Sequence, residues 1–598
     1  MIYDPKHTSF FGAEPWWKTA TFYQVYPASF ADSNGDGWGD ILGVISKLPY
    51  LHRLGVDCIW LSPCFDSPQV DMGYDVSDYQ AIYQPYGTVD DVDRLTEACH
   101  ALGLKLILDL VVNHTSDQHP WFQTSRSSRD SSKRDWYIWR PARYTDQGER
   151  LPPTNWRSYF AGGTWTWDEH TQEYYLHLYA PCQPDLNWDN PDVRRAVYDE
   201  TMRFWLERGV DGFRIDTVNK YSKDTRFVDA SVTDPSSPWQ AAPEMWCNGP
   251  NIHEYLREMH KEVLGPYSAV SVGELSNCPE TADVIPYVQA SDPQMSMCFQ
   301  FDLIRLGTGG GFGDKYIYRP FSLSTLKGLT EKWQTFIDGT DAWTTVFMEN
   351  HDNGRAVSRF GCTDTAQQWQ ASAKMLALWQ ATLSGTLFLY QGQEIGMVNM
   401  PRNRGIEDYK DVESRGFYNE ALKSGDEDRV RKTMDGLRTL ARDHARTPMQ
   451  WDAGPFAGFS TAEPWMRVND WTLDVVNVSA QEDTEDSVLR FYRSVLRLRK
   501  EYVDLFVFGR FQLLEPEDED VFAYLKESPA QKGDVDSGQR RKALVVLNFS
   551  NEAQKCPSAA MALQCAEEEV RLLVGTVRLV GDGKGSLRAW EGRVYINF

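Results

Sequence analysis

Positive charge is scarce in this chain. Its 598 residues carry 61 Lys and Arg against 85 Asp and Glu, a formal net charge of -24. So acidic a surface repels phosphate backbones, and no basic patch with interleaved aromatics offsets it, so nucleic acid is a poor partner. No run of apolar residues is long enough for a membrane-spanning helix, and none is expected. The opening Met1-Ile-Tyr-Asp-Pro-Lys-His7 lacks a basic stretch followed by an apolar one, so no secretory signal is expected and a cytoplasmic setting follows. The cysteines, at 58, 64, 99, 182, 247, 278, 298, 362, 556 and 565, form no Cys-x-x-Cys pair and no Cys/His cluster of zinc spacing. They read as buried or half-buried thiols rather than disulfides. Internal repeats and low-complexity segments are missing too.

Aromatic residues are plentiful, with 22 Trp and 28 Tyr. Most such rings pack cores, but rings also stack on the apolar faces of sugars. Short β-rich apolar runs alternate with longer helical patterns, which argues for parallel strands joined by crossover helices. Eight such runs are legible, at 21–26, 56–61, 105–111, 212–215, 269–272, 297–301, 344–348 and 386–390, with helical stretches such as 89–102 and 193–208 between them. Eight parallel strands, each followed by a helix, predict a closed (β/α)8 TIM barrel, an α/β fold whose site lies where the strands' C-terminal ends open into loops. Ionisable residues collect at those ends: Asp109, Asn113 and His114 after the third run, Arg214 and Asp216 after the fourth, Glu274 after the fifth, and Glu349, His351 and Asp352 after the seventh.

Three connections are too long to be plain loops. Residues 114–189 are rich in Trp, Tyr and Pro and predict a small inserted domain after strand three. Residues 219–250 are irregular, and residues 396–451 are charged with a helical period from about Glu407 to Arg442. From about Val507 the pattern becomes that of a separate antiparallel β-domain. The expected division is 1–113 with 190–506 for the barrel, 114–189 for the insert and 507–598 for the β-domain. The polar stretch 528–542 reads as a hairpin loop and the acidic run 515–520 as a solvated turn.

Breaking a glycosidic bond through an oxocarbenium-like transition state takes two carboxyl groups across the bond, one nucleophilic and one acidic. The acid has to keep its proton near neutral pH, and the nucleophile has to stay ionised beside a cation. Arg214 lies two residues before Asp216, a spacing that puts both side chains on one face of a strand. Arg-x-Asp pairs are common and often structural, so the pair alone decides nothing. A second oxygen-rich stretch, Asp32-Ser-Asn-Gly-Asp-Gly-Trp-Gly-Asp40, places donors at Asp32, Asn34, Asp36 and Asp40, and Trp38 can add its backbone carbonyl. That is the spacing of a calcium loop, though Gly43 stands where an EF-hand carries its bidentate Glu. Ca²⁺ is the expected ion, with Mg²⁺ open and a metal-free turn the bland reading.

Five segments, Asp109-Leu-Val-Val-Asn-His114, Gln183-Pro-Asp-Leu-Asn187, Gly212-Phe-Arg-Ile-Asp216, Gly273-Glu274 and Glu349-Asn-His-Asp352, resemble in order and placement the α-amylase family of glycoside hydrolases, family 13. The Gln183 segment, the opening Ala20-Thr-Phe-Tyr-Gln-Val-Tyr-Pro27 and Arg446-Thr-Pro-Met-Gln-Trp451 resemble its α-glucosidase and oligo-1,6-glucosidase branch, with its fungal maltase-type enzymes. The resemblance implies Asp216 as nucleophile, Glu274 as acid/base and Asp352 as transition-state stabiliser. It implies that Arg214 orients Asp216, that His114 and His351 donate to sugar hydroxyls, and that Asp71 and Tyr74 hold the terminal glucose. Gln183 and Tyr179 would line the same pocket, although many members carry Phe in place of Tyr179. An arginine near 446 would pair with the same end of the glucose: Arg446 is the first choice and Arg442 the alternative. The calcium loop also matches the branch's single structural ion.

The implied activity is exo-acting, retaining α-glucosidase action on short oligosaccharides, with roughly 5–5.5 Å between the two carboxyls. Thr217, after the nucleophile, goes in the family with α-1,4 links and Val with α-1,6, a choice decided by about 1–3 kcal/mol. Oligo-1,6-glucosidase or transglucosylase action stays open, because hydrolysis and transfer share one intermediate. A non-catalytic relative serving as a binding subunit is the remaining alternative, against which all three carboxylates stand.

Overall fold

The computed structural model describes residues 14–529, 540–577 and 585–597. Eight strands form the central sheet: β1 (Thr21–Val25), β2 (Cys58–Leu61), β3 (Lys105–Leu110), β4 (Gly212–Ile215), β5 (Val270–Glu274), β6 (Met297–Phe299), β7 (Thr345–Val346) and β8 (Thr386–Tyr390). Their order is β6-β5-β4-β3-β2-β1-β8-β7, and every pairing is parallel. Between β6 and β7 a side chain takes the place of a ladder, as Thr345 Oγ1 donates to Cys298 O at 2.9 Å. The fold is the expected TIM barrel.

Strand periodicity sorts the residues into two cores. Phe22, Trp60, Ile107, Val270, Val272, Met297, Phe299 and Phe388 form one buried cluster inside the barrel. Their neighbours Tyr23, Ile59, Leu106, Leu108, Phe213, Ile215 and Leu389 belong to the larger cluster between strands and helices. A period of two then carries the inner face upward, from Ile107 to Asp109 and from Val270 through Val272 to Glu274. The barrel is therefore apolar at its base and charged at its mouth. Gly212 begins β4 because β5 runs tight against it: a Cβ there would lie 2.0 Å from Val270 O.

Helices wrap the sheet from local signals. Asp40 caps Ile41–Leu54 by accepting from Gly43 N, and Thr88 with Asp91 makes a capping box on Val89–Ala101. The charged excursion after β8 contains two helices, Val412–Lys423 and Glu427–Leu440.

The segment after β3 carries its own antiparallel sheet, Trp139–Arg140 with Glu173–Leu176 and Trp165–Asp168. Its two ends are zipped at the barrel rim, where Leu186 N donates to Asn113 O at 2.9 Å. The irregular 219–250 stretch packs onto it, with Phe227, Ala230, Ala242 and Trp246 sharing a cluster with Trp156, Trp165 and Leu176.

The C-terminal antiparallel sheet contains β9 (Arg510–Leu514), β10 (Val521–Glu527), β11 (Lys542–Asn548), β12 (Val570–Gly575) and β13 (Gly592–Asn597), ordered β9-β10-β11-β13-β12. Buried cations tie it and the preceding helix, Val488–Glu501, to the barrel. Arg499 donates to the carbonyls of Ala381, Leu383, Gly385 and Phe506, and Lys526 Nζ to Ser384 Oγ and Gly509 O.

One expectation changes. The acidic run 515–520 is exposed but is more than a solvated turn, since Glu519 Oε2 accepts from Leu323 N at 2.7 Å and caps the helix Leu323–Thr335. The hairpin loop read at 528–542 lies mostly, over 530–539, outside the described residues. All ten cysteines are free, eight of them buried. Among the described residues no helix is long and apolar enough to cross a membrane.

Candidate active site

Arg214 organises the mouth of the barrel. It is 2% exposed, and its Nη1 donates to Asp109 Oδ1 at 2.8 Å and to Asp216 Oδ1 at 2.7 Å, while its Nη2 donates to Glu274. One guanidinium thus holds the carboxyls at the ends of β3, β4 and β5. Burial pushes the Glu274 carboxyl up to about 7 against the opposing pull of Arg214, and the Asp216 charge adds to the rise. Burial also raises Asp216, and Arg214 counters it. Thr217 follows with φ 42°, an uncommon backbone for a β-branched residue, and its Oγ1 donates to Asp216 Oδ2 at 3.2 Å. Tyr221 Oη donates to Asp216 O at 3.1 Å.

Asp352 lies after β7. Burial alone would raise its carboxyl, but Arg442, then His351 and Arg446, outweigh it and hold it well below the usual range. Arg442 Nε sits 2.9 Å from Asp352 Oδ1, and Arg442 Nη2 donates to Asp71 Oδ1 at 3.2 Å. Asp71 Oδ2 accepts from Gln183 Nε2 at 3.1 Å, and burial pushes the Asp71 carboxyl up to about 7. Tyr74 lies nearly parallel to the His351 ring, 5.2 Å between centroids, with its Oη 2.6 Å from His351 Nε2. His114 Nε2 donates to Tyr74 O at 2.9 Å. Burial holds both histidines below their ordinary value, His351 well below.

These groups surround a pocket of about 120 Å³. Asp71, Tyr74, His114, Tyr179, Asp216, Thr217, Glu274 and Asp352 line it as expected, whereas Gln183, Arg214 and His351 stand behind the wall and brace it. The preference for Arg446 over Arg442 is corrected. Arg442 lines the pocket and closes its end with Asp71, while Arg446 is 1% exposed and props Asp352 and Asp411 at 3.2 and 2.6 Å. Two residues on one helical turn face the same way, so their spacing could not order them. A larger cavity of about 330 Å³ lies beside the insert, but none of the strand-end carboxylates lines it.

Several participants escaped the sequence reading. Asp109 was visible at its strand end but was given no role; burial brings its carboxyl to about 6 despite Arg214. Tyr159, Phe160, Arg305, Lys315 and Glu413 line the mouth from distant segments and carry no local signal.

A chain with this geometry also has relatives. The family model described as alpha amylase, catalytic domain, matches residues 24–509. The chain belongs to the α-amylase family. An alpha-glucosidase of Candida albicans is 47% identical over 97% of this chain and 99% of its own length. An oligo-1,6-glucosidase of Parageobacillus thermoglucosidasius is 42% identical over 97% of this chain and 98% of its own. Among solved structures, an isomaltulose synthase from Erwinia rhapontici in complex with sucrose superposes with a TM-score of 0.88 at 36% identity, covering 98% of this chain and all of that one. This α-amylase family member is therefore a glycoside hydrolase by family.

The Asp32–Asp40 loop is held by its own backbone. Asp32 accepts from the backbone N–H groups of Asn34, Gly35 and Gly37, Asn34 from Asp36 N, and Asp36 from Trp38 N, all within 3.0 Å. Among the described residues no three His, Cys, Asp or Glu side chains converge on one metal position. The donors are all hard oxygens, which suits Ca²⁺ or Mg²⁺ and not a softer metal.

Proposed function

We propose that the protein is an exo-acting, retaining α-glucosidase that releases terminal α-D-glucose from short α-glucosides, α-1,4 links preferred. One observation carries the reading: a single buried guanidinium grips Asp216 and Glu274 beside a pocket that Asp71 and Arg442 close at its far end. A closed end admits one terminal sugar.

Glu274 enters protonated and gives its proton to the glycosidic oxygen as the bond to the anomeric carbon breaks. Asp216, ionised by Arg214, attacks that carbon and forms a β-glucosyl ester. Asp352, kept as a carboxylate by Arg442 and Arg446, binds ring hydroxyls most tightly in the distorted, cationic state. Glu274, now a carboxylate, removes a proton from water, which displaces Asp216 and gives α-glucose. A sugar hydroxyl in place of water gives transglucosylation, which is expected at high maltose. Ten free thiols support a cytoplasmic setting.

Thr217 favours α-1,4 action through its hydroxyl. The test is the ratio of specificity constants on maltose and isomaltose, with product linkages identified. A higher constant on isomaltose overturns the linkage preference and leaves an oligo-1,6-glucosidase. Inactivity of folded protein on any α-glucoside overturns the whole reading.

The reading includes a structural Ca²⁺ held by Asp32, Asn34, Asp36, the Trp38 carbonyl and Asp40. Such an ion would cross-link the loop ahead of the helix Ile41–Leu54 and take no part in the chemistry.

A further inference from the structure

Lys220 ends the short turn Val218–Lys220 that follows the β4 strand. It is fully buried, yet it forms no ion pair among the described residues. A buried ammonium without a carboxylate partner is costly. Its Nζ donates to Tyr179 Oη at 2.9 Å and to Ser276 Oγ, and lies 4.8 Å from the centroid of the Tyr159 ring. Tyr159 and Tyr179 stack at 5.1 Å, and both line the pocket with Ser276. The preceding Asn219 donates from Nδ2 to Ser276 O at 2.8 Å. Two successive residues after the Asp216 strand therefore grip the residue two places beyond Glu274. Arg214 ties the same two strand ends from inside the barrel.

We propose that Lys220 is a positioning residue for the acid/base. It staples the turn after Asp216 to the loop after Glu274, anchors the Tyr159–Tyr179 wall, and turns a positive charge that makes no ion pair toward Glu274. This rests on the reading of Glu274 as the proton donor. Once Glu274 has given its proton, the nearby ammonium stabilises the carboxylate that is left, so the acid is stronger with Lys220 than without it. The charged and titratable groups facing Glu274 are Arg214, Asp216, Asp352 and Lys220; those facing Lys220 are Cys247, Glu274, Asp216, Arg305, Tyr159 and Tyr179. Burial pulls the ammonium below its ordinary value while Cys247, Glu274 and Asp216 push it back up, which agrees with a charge that faces both carboxyls.

The experiment measures kcat/KM against pH for Lys220→Met, Lys220→Arg and Glu274→Gln, on maltose and on p-nitrophenyl α-glucoside. The second leaving group needs little protonation. Lys220→Met should lose several-fold more activity on maltose than on the nitrophenyl substrate. Its upper pH limit on maltose should move up by roughly half a unit or more, because removing a cation raises the pKa of Glu274. Lys220→Arg should hold the wild-type limit. Equal loss on both substrates with an unmoved limit, in a variant of wild-type Tm, overturns the proposal and leaves Lys220 a packing residue. If Lys220→Met does not fold, Lys220→Gln, which keeps hydrogen bonds and drops the charge, supplies the same two readouts. Glu274→Gln separates the two readings: retained maltose activity sinks the glucosidase mechanism, whereas its loss beside an unmoved Lys220→Met limit sinks only the role of Lys220.

Discussion

Replacing Arg442 by Met tests the closed end of the pocket. Arg442 is 5% exposed and touches Asp352 at 2.9 Å, Asp71 at 3.2 Å and Asp411 at 3.4 Å. Met keeps the length and removes the charge. Asp352 then loses the nearer of its two arginines, and Asp71 faces the sugar with its proton more firmly held. Removing one preorganised charged contact to a transition state costs roughly 10²–10³ in rate, about 2.7–4 kcal/mol. Leaving buried carboxylates short of a partner costs about 3–5 kcal/mol of stability, reduced here because Arg446 and Lys315 still face Asp352. The pH sign follows from the depressed carboxyl. Asp352 contributes stability above its unfolded value and loses it as pH falls through its folded one, so a less depressed Asp352 makes the variant lose stability at a higher pH on acidification. The assay is kcat/KM on p-nitrophenyl α-glucoside, with glucose inhibition and Tm measured in parallel on Arg446→Met. Arg446, behind the wall, should lower Tm with a smaller effect on glucose binding. If folded Arg446→Met weakens glucose binding more than Arg442→Met does, the placement of the two arginines is wrong.

The Glu274 carboxyl, near 7, should make kcat/KM on maltose fall as pH rises beyond that value, since only the protonated acid serves the first step; a flat profile to pH 9 would refute it. Thr217→Val removes the hydroxyl bonded to Asp216 Oδ2 and should shift the maltose to isomaltose ratio toward isomaltose by roughly tenfold or more, read from competing specificity constants. Chelation should lower Tm by a few degrees and leave initial rates at 25 °C nearly intact; an unchanged Tm removes the ion from the Asp32–Asp40 loop.

The strands were legible because parallel strands buried on both faces read as continuous apolar runs, and each functional strand broke that run with a charge at its end. Asp216 and Glu274 could be placed for that reason, and Arg214 by its two-residue offset. The arginine at the pocket's end was not legible. Arg442 and Arg446 lie one helical turn apart, and only the course of the chain around them decides which reaches Asp71. Lys220 was hidden differently. It sits in an unremarkable turn, and its partners Tyr179 and Ser276 come 41 and 56 residues away in sequence. Contacts assembled from separate loops leave no period or spacing to read.

The cations beneath β8 also bear on how the chain comes together. The turn at Leu383–Gly385 delivers β8 to its place beside β1, and its carbonyls are satisfied by Arg499, with Lys526 adding a bond to Ser384. During synthesis β1 emerges ahead of the other seven barrel strands, and its partner follows only after most of the barrel has been made. The groups that fasten that partner come later still, the last of them on β10. Until then β1 has an open edge able to pair wrongly. The C-terminal sheet thus adds a latch to the cylinder, and a chain cut ahead of it would leave the ribosome with its first and last staves held by their own ladder alone.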